Sequence, residues 1–168
     1  MIEFTAYGKA KTKGSTTSFV SKHGKLVTHD ASGVAGLTWE QGVASAALAA
    51  RAQAGERMVE RAPMGVQAIF FQPRNKTDYG TGRNSHVLKP SAPRYPSRKP
   101  DVDKYLRRIL DALTGVAYAD DGQVVLVSAA KRWGEPARAE IKVWVVSAAA
   151  EDGQLGLDQL DQLALAVA

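Results

Sequence analysis

Between Lys99 and Gln123 the chain reads KPDVDKYLRRILDALTGVAYADDGQ and sets four carboxylates in two pairs, Asp101 with Asp103 and Asp120 with Asp121. Carboxylates gathered at one point repel each other, so they stay ionised only beside a cation. All-oxygen donors favour Mg²⁺, with Mn²⁺ as a substitute, over zinc. Such an ion keeps waters and takes phosphate oxygens as further ligands. That suits phosphodiester hydrolysis, where water is activated and the charge on the leaving oxygen is stabilised. Arg107, one helical turn after Asp103, is placed to hold a phosphate oxygen or the transition-state charge. Each pair also has a structural reading, because Asp101 suits a helix N-cap and Asp120-Asp121-Gly122 suits a turn.

For the pairs to act together, the intervening elements must return them to one place. Leu106, Ile109, Leu110 and Leu113 recur at i, i+3, i+4, i+7 and predict a helix after Pro100 with one stripe in the core. Asp103, Arg107 and Asp111 then share one edge. Thr114-Gly115 supplies the stop. A helix over Asp103–Thr114 rises roughly 16 Å at 1.5 Å per residue. The residues from Gly115 to Asp120, if extended, span up to about 20 Å on the way back. An antiparallel return would bring Asp121 beside the helix start, so that Asp101, Asp103 and Asp121 converge on one ion.

Upstream of the acids lies a basic stretch. Arg74 to Arg98 is rich in Gly, Pro, Ser and basic side chains, lacks apolar periodicity and is expected to be a mobile loop. From Arg74 to Arg108 there are ten Lys or Arg against three Asp, a balance that fits a polyanionic partner. Lys9, Lys11, Lys13, Lys89, Arg94, Arg98, Lys99, Lys104, Arg108, Lys131 and Arg132 are the candidate DNA-phosphate contacts. Tyr79, Tyr95 and Trp133 are candidates to stack on unpaired bases, although core packing is the favoured role for Trp133. His23, His29 and His86 lack ligand spacing. Gly80-Thr81-Gly82 has no helix after it, so no nucleotide cofactor is expected.

The remaining chain reads as scaffold. Alternating Ile2, Phe4 and Ala6 predict a strand, and Ser18 to Thr28 a hairpin. Thr38 is a plausible N-cap for a helix to about Ala54. Val66 to Gln72 and Val124 to Val127 read as strands, the second leading into Lys131-Arg132-Trp133. After a turn at Gly134-Glu135-Pro136, Ala139 to Val146 is expected to pair back on it. The sum is a single α+β domain over residues 1–147, a mixed β-sheet with packed helices. From Glu151 onward there are four acids and no base, so 148–168 reads as an acidic tail, a short helix or disordered. With no cysteine, disulfides and thiolate zinc sites are excluded. No apolar run nears the roughly 20 residues needed to cross a bilayer, and the start lacks a signal-peptide core. A cytoplasmic protein without a membrane partner is expected.

The string KPDVDKYLRRILDALTGVAYADDGQVV resembles the signature of the RusA-like Holliday junction resolvases, roughly K-P-D-x-D-N-x-x-K-x-x-x-D-A-L-x(n)-D-D-x-Q-V. The acids, the D-A-L and the D-D-x-Q fall in order at the expected intervals. The resemblance implies a RusA-like fold and catalytic Mg²⁺ on Asp101, Asp103 and Asp121, with Asp120 matching the first acid of the second pair. It places Arg107 where the family carries a catalytic lysine and Lys104 where asparagine is usual. A guanidinium keeps the charge but is a poor proton donor, so an electrostatic role is what carries over. The resemblance further implies phage or prophage origin in a bacterial host, and a homodimer, since paired cuts in opposing strands need two symmetric sites. The tail leucines are one candidate dimer surface.

The expected function is therefore Mg²⁺-dependent, structure-selective cleavage of Holliday junctions or other branched DNA, in recombination or repair. Two alternatives remain at this point. One is a junction-binding protein with weak or no nuclease activity. The other is a glycosyltransferase-type enzyme using D-x-D, which the small size and the basic loop oppose.

Overall fold

The fold grows around one apolar strand. In the computed structural model, residues 1–14, 16–30 and 33–147 are described. Strand β4 (Met64–Gln72) carries Val66, Ala68 and Phe70, each with no exposed surface. A strand buried this thoroughly needs neighbours on both edges. On one side it pairs antiparallel with β6 (Arg138–Val145), which pairs antiparallel with β1 (Ile2–Tyr7). On the other it pairs parallel with β5 (Val124–Trp133). The sheet order is thus β1-β6-β4-β5, mixed as expected, while β2 (Thr16–Val20) and β3 (Leu26–Asp30) form a separate hairpin.

The expected pairing of β5 with β6 is corrected by this order, because β4 lies between them. The link from Trp133 to Arg138 passes over the end of β4, and the Gly134 amide donates to the Gln72 carbonyl at 3.0 Å. A Cβ at Gly134 would stand 2.6 Å from the Phe71 ring, so the crossing needs a residue without a side chain.

Helices α1 (Gly33–Gln53) and α2 (Val102–Leu113) cover one face of the sheet. From α2 come Tyr105, Ile109, Ala112 and Leu113, and from α1 Trp39, Val43 and Ala47, all packed against Ile2, Val66, Phe70, Ile141 and Val143. The Tyr105 and Phe70 rings lie 5.1 Å apart. Truncating a residue as buried as Ile109 to Ala is expected to cost about 2–5 kcal/mol. Helix α1 begins five residues before the expected cap at Thr38, whose hydroxyl instead donates back to the Val34 carbonyl.

The basic stretch after β4 holds two short 3-10 turns, Lys76–Asp78 and Gly82–Asn84, and one bridge between Tyr79 and Leu88. The acidic tail lies outside the described residues. No helix among the described residues is long and apolar enough to cross a membrane.

Candidate active site

Helix α2 presents its N-terminus where the basic stretch ends. Asp101 occupies the N-cap position, yet its side chain makes no capping hydrogen bond. The carboxylate pairs with exposed Lys104 at 3.3 Å, across three residues. The N-cap explanation of this acid therefore fails in its usual form, and the carboxylate remains open to solvent. Asp103 and Arg107 follow on the exposed flank, one turn apart. Neither side chain takes part in a hydrogen bond or ion pair among the described residues.

The approach to Asp101 is held by β5. The Lys131 ammonium donates to the carbonyls of Arg98 at 2.8 Å and Pro100 at 2.9 Å. Trp133 donates its indole N–H to the Pro93 carbonyl at 3.0 Å, and Arg74 donates to the same oxygen at 2.9 Å while its guanidinium lies over the Trp133 ring. Tyr95 receives two guanidinium groups on its ring, from Arg94 at 5.5 Å and Arg132 at 5.6 Å. The end of β5 thus fixes the segment 93–100, with Arg94, Arg98 and Lys99 exposed along it.

The second acidic pair divides its labour. Asp120 accepts from the Gly122 amide at 2.7 Å, and Gln123 accepts in turn from the amides of Ala119 and Asp120, a reciprocal capping box. The Gln123 amide also donates to the carbonyls of Val59 and Ala62, which pins the turn to the body of the protein. Asp120 is thereby committed to structure, and Asp121 is left exposed with its carboxylate uncommitted. Sequence reasoning took D-D-x-Q as a family mark and missed the box, although Asp followed three residues later by Gln was its visible signal.

The expected convergence of three carboxylates on one point is not assembled among the described residues. Among the described residues no three of His, Cys, Asp and Glu form a group that could hold a metal ion. The return from α2 is a tight turn rather than an extended run. The Gly115 amide donates to the Tyr118 carbonyl at 2.7 Å, and Thr114 bridges to Tyr118. Tyr118 is fully buried and donates its hydroxyl to the Leu110 carbonyl at 3.1 Å. Burial first, then the charges of Asp121 and Asp111, push its phenol well above the usual 10.0. Asp121 therefore shares its surroundings with the later half of α2, while Asp101 stands at the start. In donor chemistry Asp101 and Asp103 still suit Mg²⁺, which takes one or two carboxylates and completes its shell with water and phosphate.

The candidate phosphate contacts separate into free and committed cations. Lys9, Arg98 and Lys99 are exposed, as is Arg94 on Tyr95. Lys11 is half-buried in the N-terminal loop. Lys89 donates to the Thr77 carbonyl, Lys104 pairs with Asp101, and Arg132 packs on Tyr95. Lys13 pairs with Asp111 at 2.5 Å, and its amide donates to the Lys104 carbonyl, so the N-terminal loop docks along α2. Arg108 is a correction. It is 1% exposed, pairs with Glu40 of α1 at 2.5 Å and donates to the Thr12 carbonyl. It joins three segments inside the fold and is not available to DNA.

The sequence profile of endodeoxyribonuclease RusA matches residues 11–144 of this chain. An uncharacterized protein of Bacillus subtilis (strain 168), YqaN, is 28% identical over 147 residues, which covers 88% of this chain and 98% of that one.

Proposed function

The chain belongs to the RusA endodeoxyribonuclease family, and from that premise we propose that it is a Mg²⁺-dependent nuclease that cuts Holliday junctions and related branched DNA at symmetric positions as a homodimer. The observation that carries the reading is the state of Asp101 and Asp103. Two solvent-open carboxylates sit at a helix start, one declining the cap it occupies and the other unpaired, at the end of a segment of exposed cations.

Asp101 and Asp103 would hold the ion, and the resemblance adds Asp121. When bound, Mg²⁺ supplies Lewis acidity toward a phosphodiester oxygen and toward water. The protein's own part is positioning and charge. Arg107 stands one turn beyond Asp103, free to engage a phosphate oxygen and to offset negative charge that builds there. Lys131 fixes the backbone just before Asp101, so the two carboxylates keep their aim as the strand enters. Arg94, Arg98 and Lys99 draw the backbone in by charge, without reading its sequence. Asp120 and Gln123 hold the turn that presents Asp121.

A second reading, junction binding without cleavage, is favoured by two observations. Among the described residues no three carboxylates are gathered, and an arginine stands where the family carries lysine. Incubating the protein with a synthetic four-way junction, with and without Mg²⁺, separates the two. Paired nicks that need the metal and vanish in Asp101→Asn protein support the nuclease. Tight binding with intact strands supports the second reading, and no preference for a junction over linear duplex sinks both.

A further inference from the structure

The basic stretch after β4 contains a small loop closed by its own backbone. At its foot the Lys89 amide donates to the Asp78 carbonyl at 2.9 Å, and the Lys89 ammonium donates to the Thr77 carbonyl at 2.9 Å. Above the foot Tyr79 bridges to Leu88, and the Gly80 amide donates to the Val87 carbonyl at 2.9 Å. Inside the loop the Asn84 amide donates to the Thr81 carbonyl and the Val87 amide to the Asn84 carbonyl. A Cβ at Gly80 would stand 2.6 Å from the Asn84 carbonyl oxygen, so the arms close this tightly only over glycine. Every residue from Thr81 to Pro90 is nonetheless exposed. The loop is therefore shaped by its own hydrogen bonds rather than by packing on the sheet or the helices. Order without burial is preorganisation for a partner, because the ordering that binding would otherwise demand is already present.

The surface of this stretch combines two chemistries. Between Arg74 and Lys99 there are seven Lys or Arg and one acid, Asp78, which is only 6% exposed. In the loop itself Val87 is 48% and Leu88 43% exposed, side by side and close in sequence to exposed Arg83. The loop also stands on the approach to the candidate site. Four residues lead from Lys89 to Pro93, whose carbonyl is held by Trp133 of β5, so the two lie at most about 14 Å apart.

We propose that Val87 and Leu88 form an apolar wedge that enters the base stack at a DNA branch point, and that this loop selects branched over linear DNA. The proposal rests on the reading of the protein as a nuclease for branched DNA, and it names the residues that recognise the branch. Charge identifies the occupant. A stretch whose exposed charges are all positive suits a polyanion and would meet its like in a two-fold contact with itself. Contacts to phosphate use cations and polar groups and leave two adjacent aliphatic side chains without a role. Apolar side chains inserted between base steps give them one, and they distinguish the two forms of DNA. An intact duplex must be unstacked to admit them, whereas at a crossover the stack is already interrupted. The same two side chains thus gain contact at the branch and meet resistance along an arm.

The test compares the unmodified protein with the double variant Val87→Ser, Leu88→Ser and with Arg83→Ala. Each is titrated, without added metal, against a synthetic four-way junction carrying 2-aminopurine at its crossover and against a linear duplex of the same sequence. The unmodified protein should raise the 2-aminopurine fluorescence as the probe loses its stacked neighbour. The double variant should lose about tenfold in preference for the junction and most of the fluorescence rise, with duplex affinity within about twofold and an unchanged circular dichroism spectrum. Arg83→Ala should weaken both substrates alike and lower the salt slope, with the preference intact. If the double variant does not fold, Val87→Ser alone decides. Equal weakening on both substrates would overturn the assignment. So would an unchanged preference in the folded double variant, which would leave the loop to an acidic protein partner. A protein that prefers junctions through Val87 and Leu88 but leaves them uncut in Mg²⁺ removes the nuclease reading and keeps the wedge. A protein that cuts junctions as selectively without these side chains removes the wedge and keeps the nuclease.

Discussion

Lys131 reaches from β5 to the carbonyl of Pro100, 2.9 Å away and one residue before Asp101. A side chain that charge alone would assign to DNA thus holds the entry to the candidate site. Lys131→Met keeps most of the stem and removes both hydrogen bonds. It should lower the single-turnover cleavage rate about tenfold, equivalent to about 1.4 kcal/mol, while junction affinity falls less than threefold. Equal losses in rate and affinity would show that Lys131 is a phosphate contact after all.

Glu40→Ala removes the carboxylate that pairs with the buried guanidinium of Arg108 at 2.5 Å. Breaking a buried pair is destabilising, and denaturant melts should show a loss of stability. Where the protein stays folded, the salt dependence of DNA binding should be unaltered, since neither residue meets phosphate. A weakened salt slope in Arg108→Met would restore Arg108 to the DNA surface.

These two side chains show why the site was only partly legible in the sequence. The helix carrying Asp103 and Arg107 was plain, because Leu106, Ile109, Leu110 and Leu113 mark its inner stripe. That stripe sets Arg108 on the far side of the helix, yet the face the fold buries is turned toward Tyr105, Arg108, Ile109, Ala112 and Leu113, and a count of positive charges conceals it. A continuous apolar run marked β5 and alternation marked β6 as strands, and neither could say that β4 lies between them, since such patterns fix faces and not neighbours. The return path failed for a related reason. Chain length sets how far Gly115 to Asp120 can reach, while the hydrogen bond between Gly115 and Tyr118 decides how far they go.

Asp120 and Asp121 should respond differently to the same change. Asn can replace Asp as a cap, so Asp120→Asn should keep cleavage within about threefold. Asp121→Asn should reduce it at least a hundredfold, with little change in melting temperature. Gln123→Ala, which dissolves the capping box, should cost about 1 kcal/mol and impair cleavage as well. Equal sensitivity at 120 and 121 would mean that the pair acts through the turn alone.

Tyr118 carries a pH signature. Its phenol is held above the usual 10.0 in the fold, so the unfolded chain gives up the proton first as pH rises. The stabilisation is complete below about pH 10 and is lost progressively above it. Tyr105, raised by burial, adds to the same trend. Urea melts from pH 8 to 11 should show stability falling only above about pH 10. Tyr118→Phe should flatten that fall, at a cost of about 1 kcal/mol at neutral pH for the lost hydrogen bond to Leu110. An unchanged slope in Tyr118→Phe would contradict this.

Arg94, Arg98 and Lys99 line the approach as exposed cations. Each alanine substitution should weaken binding to junctions of any sequence and lower the salt slope by about 1. A change confined to particular sequences would point to base contacts instead.

The most direct measurement is single-turnover cleavage of an end-labelled four-way junction in Mg²⁺, comparing the unmodified protein with Asp103→Asn at matched occupancy. The unmodified protein should nick two opposing strands at symmetric positions, and Asp103→Asn should bind equally well with a rate at least a thousandfold lower. Occupied junctions whose strands stay intact with the unmodified protein, or an Asp103→Asn rate equal to it, would contradict the assignment of Asp101 and Asp103 as the heart of a nuclease site.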